Sequence, residues 1–221
     1  GRRAAEGAVI SWLRATAARL FQPRPDTTPE LAAVEAEIAD PWAAEVVRRA
    51  LSCVGTGLYG LGSGGRDPSA PSPLGEYQPR RGEDPRQVAA RRKLGKVWCD
   101  CSGFLAFAWS EPRKDSDDGE DEIGGDWIYT DALARDALGP QRFARRVAIA
   151  DVRPGDALVY GAGAKVGHCA IVVGRAEVVR RFADLAVSHC HGPSGKGPAI
   201  TRASGALWDR HDDAIAIRRV R

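Results

Sequence analysis

Cysteine and histidine are the residues of this sequence whose types and spacing could do chemistry. The 221-residue chain has five cysteines and four histidines, and three of the histidines stand within two residues of a cysteine. An odd cysteine count in a chain of this length argues against a disulfide framework. The clustering leaves a metal site, a catalytic thiol or simple burial as interpretations. The residues concerned are Cys53, Cys99, Cys101, Cys169, Cys190, His168, His189 and His191.

Cys101 has the sequence context of a nucleophile. It lies in the run WCDCSGF, residues 98–104, directly before an apolar helical pattern. A helix N-terminus and a neighbouring imidazolium lower a cysteine pKa from about 8.5 to between roughly 3.5 and 7.5. Asp100 and Ser102 could cap the exposed amides of such a helix. The alternative, on this heptapeptide alone, is a small buried hydrophobe that enters a core helix.

A thiolate nucleophile needs an imidazole that a third group orients. His168 begins the β-rich run HCAIVV, and alternation along a strand puts His168 and Cys169 on opposite faces. These two side chains are therefore not expected to share a site. In the next strand pattern, His189 and His191 point together while Cys190 faces away. Either histidine could orient the His168 ring, and spacing alone does not choose.

Zinc binding is the alternative from a different class, because thiols and imidazoles are its preferred ligands. Its ligands would come from Cys99, Cys101, His168, His189 and His191. The C-x-C spacing is tighter than the usual C-x₂₋₄-C loop, and Cys101 leads directly into a helix. A calcium loop in the acidic residues 113–126 fails the template, because Gly119 stands where an oxygen ligand is needed. The spacing of these residues thus argues against a metal site.

The order of the local patterns predicts an α+β fold. Apolar residues at helical spacing predict helices over residues 4–21, from Thr28, from Trp42 to the glycines at 55–65, after Cys101, and around 131–138. Strand patterns bounded by turn residues follow at residues 157–160, 168–173, 185–191 and 214–220. Helices followed by strands predict helices packed on a central antiparallel sheet, with Cys101 at a helix N-terminus.

The chain is expected to contain an N-terminal helical extension, residues 1–40, and a catalytic domain, residues 41–221. Inside the second, composition predicts a surface insertion loop at 63–97 and an acidic loop at 113–126. The formal net charge of +3 is too small and too evenly spread to indicate nucleic-acid binding. No apolar run approaches the ~20 residues of a membrane-spanning helix, so no integral membrane segment is expected.

In their order along the chain, these motifs resemble the NlpC/P60 family of papain-like cysteine hydrolases. Residues 100–104, DCSGF, resemble its nucleophile motif, and residues 152–160, VRPGDALVY, resemble its turn and first strand. Residues 167–174, GHCAIVVG, resemble the strand that carries the catalytic histidine. Residues 191–197, HGPSGKG, resemble the strand end that carries the third polar residue.

The resemblance implies roles for individual residues. Cys101 would attack a carbonyl, His168 would accept and return the proton, and His191 would orient His168, with His189 as the alternative third residue. Tyr59 matches a family tyrosine that faces the active site. The oxyanion and substrate side of the site would involve Tyr59, Asp100 and Ser102.

The implied reaction is hydrolysis of an amide bond in the stem peptide of bacterial peptidoglycan, between D-glutamate and a diamino acid. It would pass through an acyl-enzyme and need no cofactor. A papain-like acyltransferase or deamidase on another substrate is the alternative that keeps the fold. Cell-wall hydrolysis implies action outside the cytoplasm, yet the first 25 residues lack the apolar block of a signal peptide. We therefore expect removal of a leader, or injection as an effector by a secretion system, with an immunity protein as a possible partner.

Overall fold

The computed structural model describes residues 38–113, 128–161, 167–176, 178–191, 197–203, 208 and 213–221. Within them it is a mixed α+β structure, which confirms the predicted class. The predicted helices over 4–21 and from Thr28 lie outside the described residues, as does nearly all of the predicted acidic loop. The described helices are α1 (Pro41–Ser52), α2 (Pro85–Arg92), α3 (Cys101–Ala108) and α4 (Thr130–Leu138).

A six-stranded sheet forms the centre of the fold, in the order β3-β8-β4-β5-β6-β7 with every pairing antiparallel. The predicted antiparallel sheet is therefore confirmed. A separate two-stranded parallel ladder joins β1 to β2, and the sequence patterns did not predict it. The strands are β1 (Leu58–Tyr59), β2 (Trp98–Cys99), β3 (Ala144–Val147), β4 (Ala157–Tyr160), β5 (His168–Arg175), β6 (Leu185–Cys190), β7 (Pro198–Arg202) and β8 (Ile215–Arg219).

Helix α1 starts where the sequence predicts, because Asp40 and Pro41 supply the start signals. The Asp40 carboxylate accepts a hydrogen bond from the Trp42 amide at 3.0 Å, and a proline in the first turn needs no amide partner. Val46 and Val47 are buried on one face. This face packs against α3, so α1 supports the helix that carries the nucleophile candidate.

The large sheet separates two apolar clusters, and β5 contributes to both by strict alternation. Cys169 and Ile171 belong to the cluster on the α3 side, whereas Ala170 and Val172 belong to the cluster on the opposite face. The predicted face assignment along this strand is confirmed. Helix α3 is buried along its entire length, so its first residue is held firmly against the sheet.

Residues 63–97, expected to be a surface loop, contain helix α2 and share a small apolar cluster with the strands on either side. Tyr77 and Trp98 are buried with ring centroids 4.8 Å apart, and Leu58 completes the buried cluster. The Tyr77 hydroxyl donates to Glu83 at 2.7 Å. This stretch is therefore ordered around buried aromatic rings. That it is an insertion relative to the NlpC/P60 pattern stays a prediction.

No helix in the described part of the chain is both long enough and apolar enough to cross a membrane. The longest, α1, has 12 residues, which at 1.5 Å per residue spans roughly 18 Å.

Candidate active site

Cys101 is the first residue of α3, immediately after the short strand β2 and the cap residue Asp100. The Asp100 carboxylate accepts a hydrogen bond from the Gly103 amide at 2.7 Å, which confirms Asp100 as the helix cap. Ser102 does not cap an amide; its hydroxyl donates to Asp100 at 3.3 Å. The Cys101 sulfur therefore lies beside the positive end of the helix, where a thiolate is favoured.

Asp100 is further held by a residue that the sequence analysis missed. Arg113 approaches it through two nitrogens, Nη1 to Oδ1 at 2.6 Å and Nη2 to Oδ2 at 2.9 Å. Both side chains are almost fully buried, 9% and 2% exposed. Burial lowers the pKa of Arg113, but the Asp100 charge and hydrogen bonds overcome this and raise it. Both Asp100 oxygens are thus used within the protein, so Asp100 positions α3.

The loop at residues 62–65 lies directly against the first turn of α3. The Gly62 amide donates to Asp100 at 2.7 Å, and the Asp100 amide donates to the Ser63 carbonyl at 3.0 Å. A Cβ at Gly103 would stand 2.8 Å from the Gly64 carbonyl oxygen and 2.7 Å from Arg113 Nη1. Because real Cβ contacts are longer than this, only glycine fits at this position of the nucleophile motif.

His168 is the first residue of β5 and is buried beside aromatic rings. It pairs with Tyr160 of β4, and its ring centroid lies 6.1 Å from that of Tyr160 and 5.6 Å from that of Trp208. Burial, followed by the charge of Cys101, raises the pKa of Tyr160 to about 12. The Tyr160 and Trp208 rings thus pack against one side of the imidazole and restrict its rotation.

The two candidate third residues contact His168 in different ways. His189 Nδ1 lies 2.8 Å from His168 Nε2, within hydrogen-bond distance. His191 follows the end of β6, and its ring centroid lies 5.3 Å from that of His168 in an edge-on contact. Burial first, and then the charge of His168, lowers the pKa of His189 to about 3 and that of His191 to about 4. Both rings are therefore neutral at pH 7.

A hydroxyl extends this row of side chains. Thr201 Oγ1 of β7 lies 3.1 Å from His189 Nε2. If His168 is an imidazolium, its Nε2–H donates to His189 Nδ1, and the remaining proton of His189 is then on Nε2 and donates to Thr201. The sequence patterns described above did not single out Thr201. Its role depends on the register of β7 against β6, which pairs Ala199 with His189.

Cys101 interacts with two consecutive residues of β5. The Cys169 thiol has the largest effect on its pKa, burial opposes it, and the His168 ring adds a hydrogen bond and a positive charge; together they lower the pKa of Cys101 to about 5. The expectation that His168 and Cys169 cannot share a site is therefore wrong. The strand faces alternate as predicted, but α3 packs against β5, and the Cys101 sulfur meets the side chains of both residues.

Tyr59 lies near the nucleophile, as the resemblance implies. It ends β1 and pairs with Cys99 of β2, two residues before Cys101. Burial, and next the negative charge of Cys101, raises the pKa of Tyr59. The phenol therefore keeps its proton at neutral pH and can donate a hydrogen bond in the site.

The remaining cysteines are buried and free. The Cys190 thiol donates to the Cys99 carbonyl at 3.1 Å, and the Cys99 thiol donates to the Asp100 carbonyl at 3.2 Å. Burial is the first cause that raises the pKa of Cys99, of Cys169 and of Cys190, and it raises that of Cys53 to about 11. The thiols other than Cys101 therefore stay protonated at neutral pH.

In the part of the chain that the structure describes, no group of three or more His, Cys, Asp or Glu side chains is arranged to hold a metal ion. The three neighbouring histidines instead contact one another through a ring hydrogen bond and edge-on ring contacts.

Comparisons with known proteins found no match for this chain among family models, curated proteins or solved structures. Assignment of a function therefore depends on the chemistry of the site.

Proposed function

We propose that this protein is a cysteine hydrolase that cleaves an amide bond through an acyl-enzyme. The observation that supports this most directly is the row Cys101, His168 and His189. It combines a thiol of lowered pKa, an imidazole that acts on it, and a neutral ring 2.8 Å from that imidazole. A nucleophile, a base and a group that orients the base are the parts that covalent acyl transfer needs.

The reaction would begin with Cys101 as thiolate and His168 as imidazolium. The sulfur attacks the amide carbonyl carbon, and the resulting oxyanion accepts hydrogen bonds from the Cys101 amide and the Tyr59 hydroxyl. His168 then gives its proton to the leaving amine, and the acyl-enzyme forms. A water molecule, which loses a proton to His168, attacks the thioester and releases the acid and the thiolate.

His189 is well suited to hold His168 during these steps. Its neutral ring accepts a hydrogen bond from the Nε2–H of the imidazolium and leaves the other ring nitrogen of His168, Nδ1, for the Cys101 sulfur. Thr201 Oγ1 accepts a hydrogen bond from the Nε2–H of this neutral ring and so favours this tautomer. His191, which the family resemblance selects as the third residue, lines the same cluster and remains the alternative for this role.

The substrate that we propose is the stem peptide of bacterial peptidoglycan, cut between D-glutamate and a diamino acid. The support is the NlpC/P60-like order of motifs, together with a buried thiol–imidazole pair where those motifs meet. This substrate implies action outside the cytoplasm. It also makes a secretion system or an immunity protein a reasonable partner.

Incubation with purified peptidoglycan and with a synthetic stem tetrapeptide tests the proposal. Mass spectrometry should detect a new free carboxyl and amine with the wild-type protein, and none with Cys101→Ala. The matched control is Cys99→Ala, which removes a neighbouring buried thiol and should retain cleavage. Equal cleavage by wild type and Cys101→Ala would exclude the mechanism.

Two further results separate the reaction from the substrate. Addition of a primary amine during the reaction distinguishes hydrolysis from acyl transfer, because a transferase would give the amide product. If the stem peptide stays intact while a small electrophile still labels Cys101 selectively, the thiol chemistry stands and the peptidoglycan assignment fails.

A further inference from the structure

Arginine side chains gather around a groove on the large sheet, at the opposite end of β5 from His168. Its volume is about 630 Å³, within the usual size range of ligand sites. Arg175 ends β5, and a strand of eight residues separates its first and last residues by roughly 23 Å. The charged residues that line this arginine groove are Arg145, Arg146, Arg153, Arg175, Arg218 and Asp151.

The register of two strands brings like charges together in the arginine groove. Arg145 of β3 stands directly opposite Arg218 of β8. Like charges at directly opposed positions of an antiparallel pair destabilise it. The strand pairing thus places Arg145 beside Arg218, whose charge Asp156 already compensates.

One of these arginines is fixed in place by the protein itself. Arg218 donates from Nε and Nη2 to the buried Asp156 carboxylate at 2.7 and 2.8 Å, and Nη2 also donates to the Asp151 carbonyl at 2.9 Å. The Arg175 guanidinium donates to the Val152 carbonyl at 2.7 Å. Protein contacts therefore hold the Arg218 and Arg175 side chains of the arginine groove in place before any ligand binds.

The other wall of the arginine groove has positive charge that no acidic side chain among the described residues pairs with closely. Within the described residues, neither Arg145 nor Arg146 forms an ion pair, and both are exposed. Among the same residues, Arg153 makes only a long ion pair with Asp40, 3.7 Å between Nη2 and Oδ2. A planar guanidinium binds two oxygens of a phosphate at once, so several of them around one concavity match a phosphate group.

We infer that the arginine groove binds a phosphate or phosphodiester group of an anionic ligand. This inference does not depend on the hydrolase proposal, because it uses no residue of the Cys101 site. If the phosphate belongs to a polymer, the groove holds the chain on that polymer while the Cys101 site stays free. If it belongs to a small molecule, the groove is a ligand site in its own right.

Isothermal titration calorimetry on the full chain tests this inference with two probes, inorganic pyrophosphate and a short poly(glycerol phosphate). We expect saturable binding of at least one of them. The double variant Arg145→Gln/Arg146→Gln should weaken it at least about tenfold, because it removes two hydrogen-bonding charges. The matched control, Lys93→Gln/Lys96→Gln, makes the same charge change at exposed positions near α2 and should change affinity less than about twofold.

The outcomes are distinct. Much tighter binding of the polymer identifies a polyanion as the ligand, and equal or better binding of pyrophosphate identifies a small phosphate compound. No saturable binding of either probe overturns the inference, and so does an equal loss in both double variants. Melting temperature without probe verifies that the substituted chains are folded, and unchanged labelling of Cys101 separates this result from the hydrolase test.

Discussion

Cys99 and Cys101 stand two residues apart and are both buried. They differ in secondary structure, in the polar groups around the sulfur and in the direction of their pKa shift. Cys99 ends a strand, donates to the Asp100 carbonyl, and has a raised pKa because it is buried. Cys101 starts a helix, meets Cys169 and His168, and has its pKa lowered to about 5. Burial is common to both thiols, so the helix terminus and the polar neighbours decide which of them ionises.

The largest effect expected concerns activity. Cys101→Ala should reduce kcat/KM on the amide substrate by about 10⁴-fold or more, because loss of the nucleophile removes the covalent route. Cys99→Ala should leave kcat/KM within about threefold of wild type, since this thiol faces away from the reaction. Steady-state kinetics on the two variants provide the comparison. Comparable losses in both would contradict the division of roles.

Asp100 lies between the two cysteines in the chain. Loss of its ion pair with Arg113 should have the next largest effect, which is on the stability of the fold. Arg113→Ala should lower the free energy of unfolding by about 3–5 kcal/mol, because it leaves a buried carboxylate without its partner. The exposed pair of Arg48 with Glu45 is the matched control, and Arg48→Ala should cost less than about 1 kcal/mol. Urea unfolding followed by circular dichroism measures both. Similar costs would mean that the buried pair adds nothing beyond a surface one.

The histidines allow a finer comparison around Cys101. His189→Ala should reduce kcat by up to about 10²-fold with little change in KM, because His168 loses the ring that holds it in a productive orientation. His191→Ala should have a smaller effect, as its contact with His168 is edge-on. A larger loss in His191→Ala would return the third position to the residue that the family resemblance selects.

The smallest effect expected is a shift of the thiolate titration. Iodoacetamide should label Cys101 with a rate that rises through about pH 5 and stays flat above it, because the lowered pKa leaves the thiolate dominant at every higher pH. Cys99 should stay unlabelled near neutral pH. In Cys169→Ala the midpoint of this pH dependence should move to higher pH, since the largest cause of the lowered Cys101 pKa is lost. In Cys169→Ser it should move less.

Peptide mapping by mass spectrometry assigns the label to each cysteine in that experiment. If the labelling rate of Cys101 in the wild-type protein has its midpoint near the ordinary cysteine pKa, the proposed chemical difference between the two cysteines is contradicted.

Local patterns were enough to predict most of the site. The cap at Asp100, the helix after Cys101 and the face alternation of β5 all depend on neighbouring residues, so the sequence determines them directly. The contact of Cys169 with Cys101 could not be predicted, because it depends on how α3 crosses β5. The choice between His189 and His191 depends on the path of the chain past the end of β6.

Arg113 was missed for a similar reason. It occurs at the start of an acidic run, and no periodic pattern in the sequence distinguishes it from a solvated arginine. Only the return of the chain after α3 brings it to Asp100. Thr201 shows the same limit in the sheet, because its contact with His189 requires the pairing of β6 with β7. Local propensity therefore predicts the elements that carry Cys101 and His168, and long-range pairings decide which side chains contact them.

The contacts of Asp100 with residues 62 and 63 also affect how the chain can vary in length. Those contacts and the pairing of Gly75 with Trp98 hold both ends of the 63–97 stretch beside the nucleophile. The entropy of closing a flexible loop grows only with the logarithm of its length, so added residues near the open position at Gly82 cost little. A binding peptide or reporter grafted there would leave in place the contacts that hold the ends of the stretch beside Cys101.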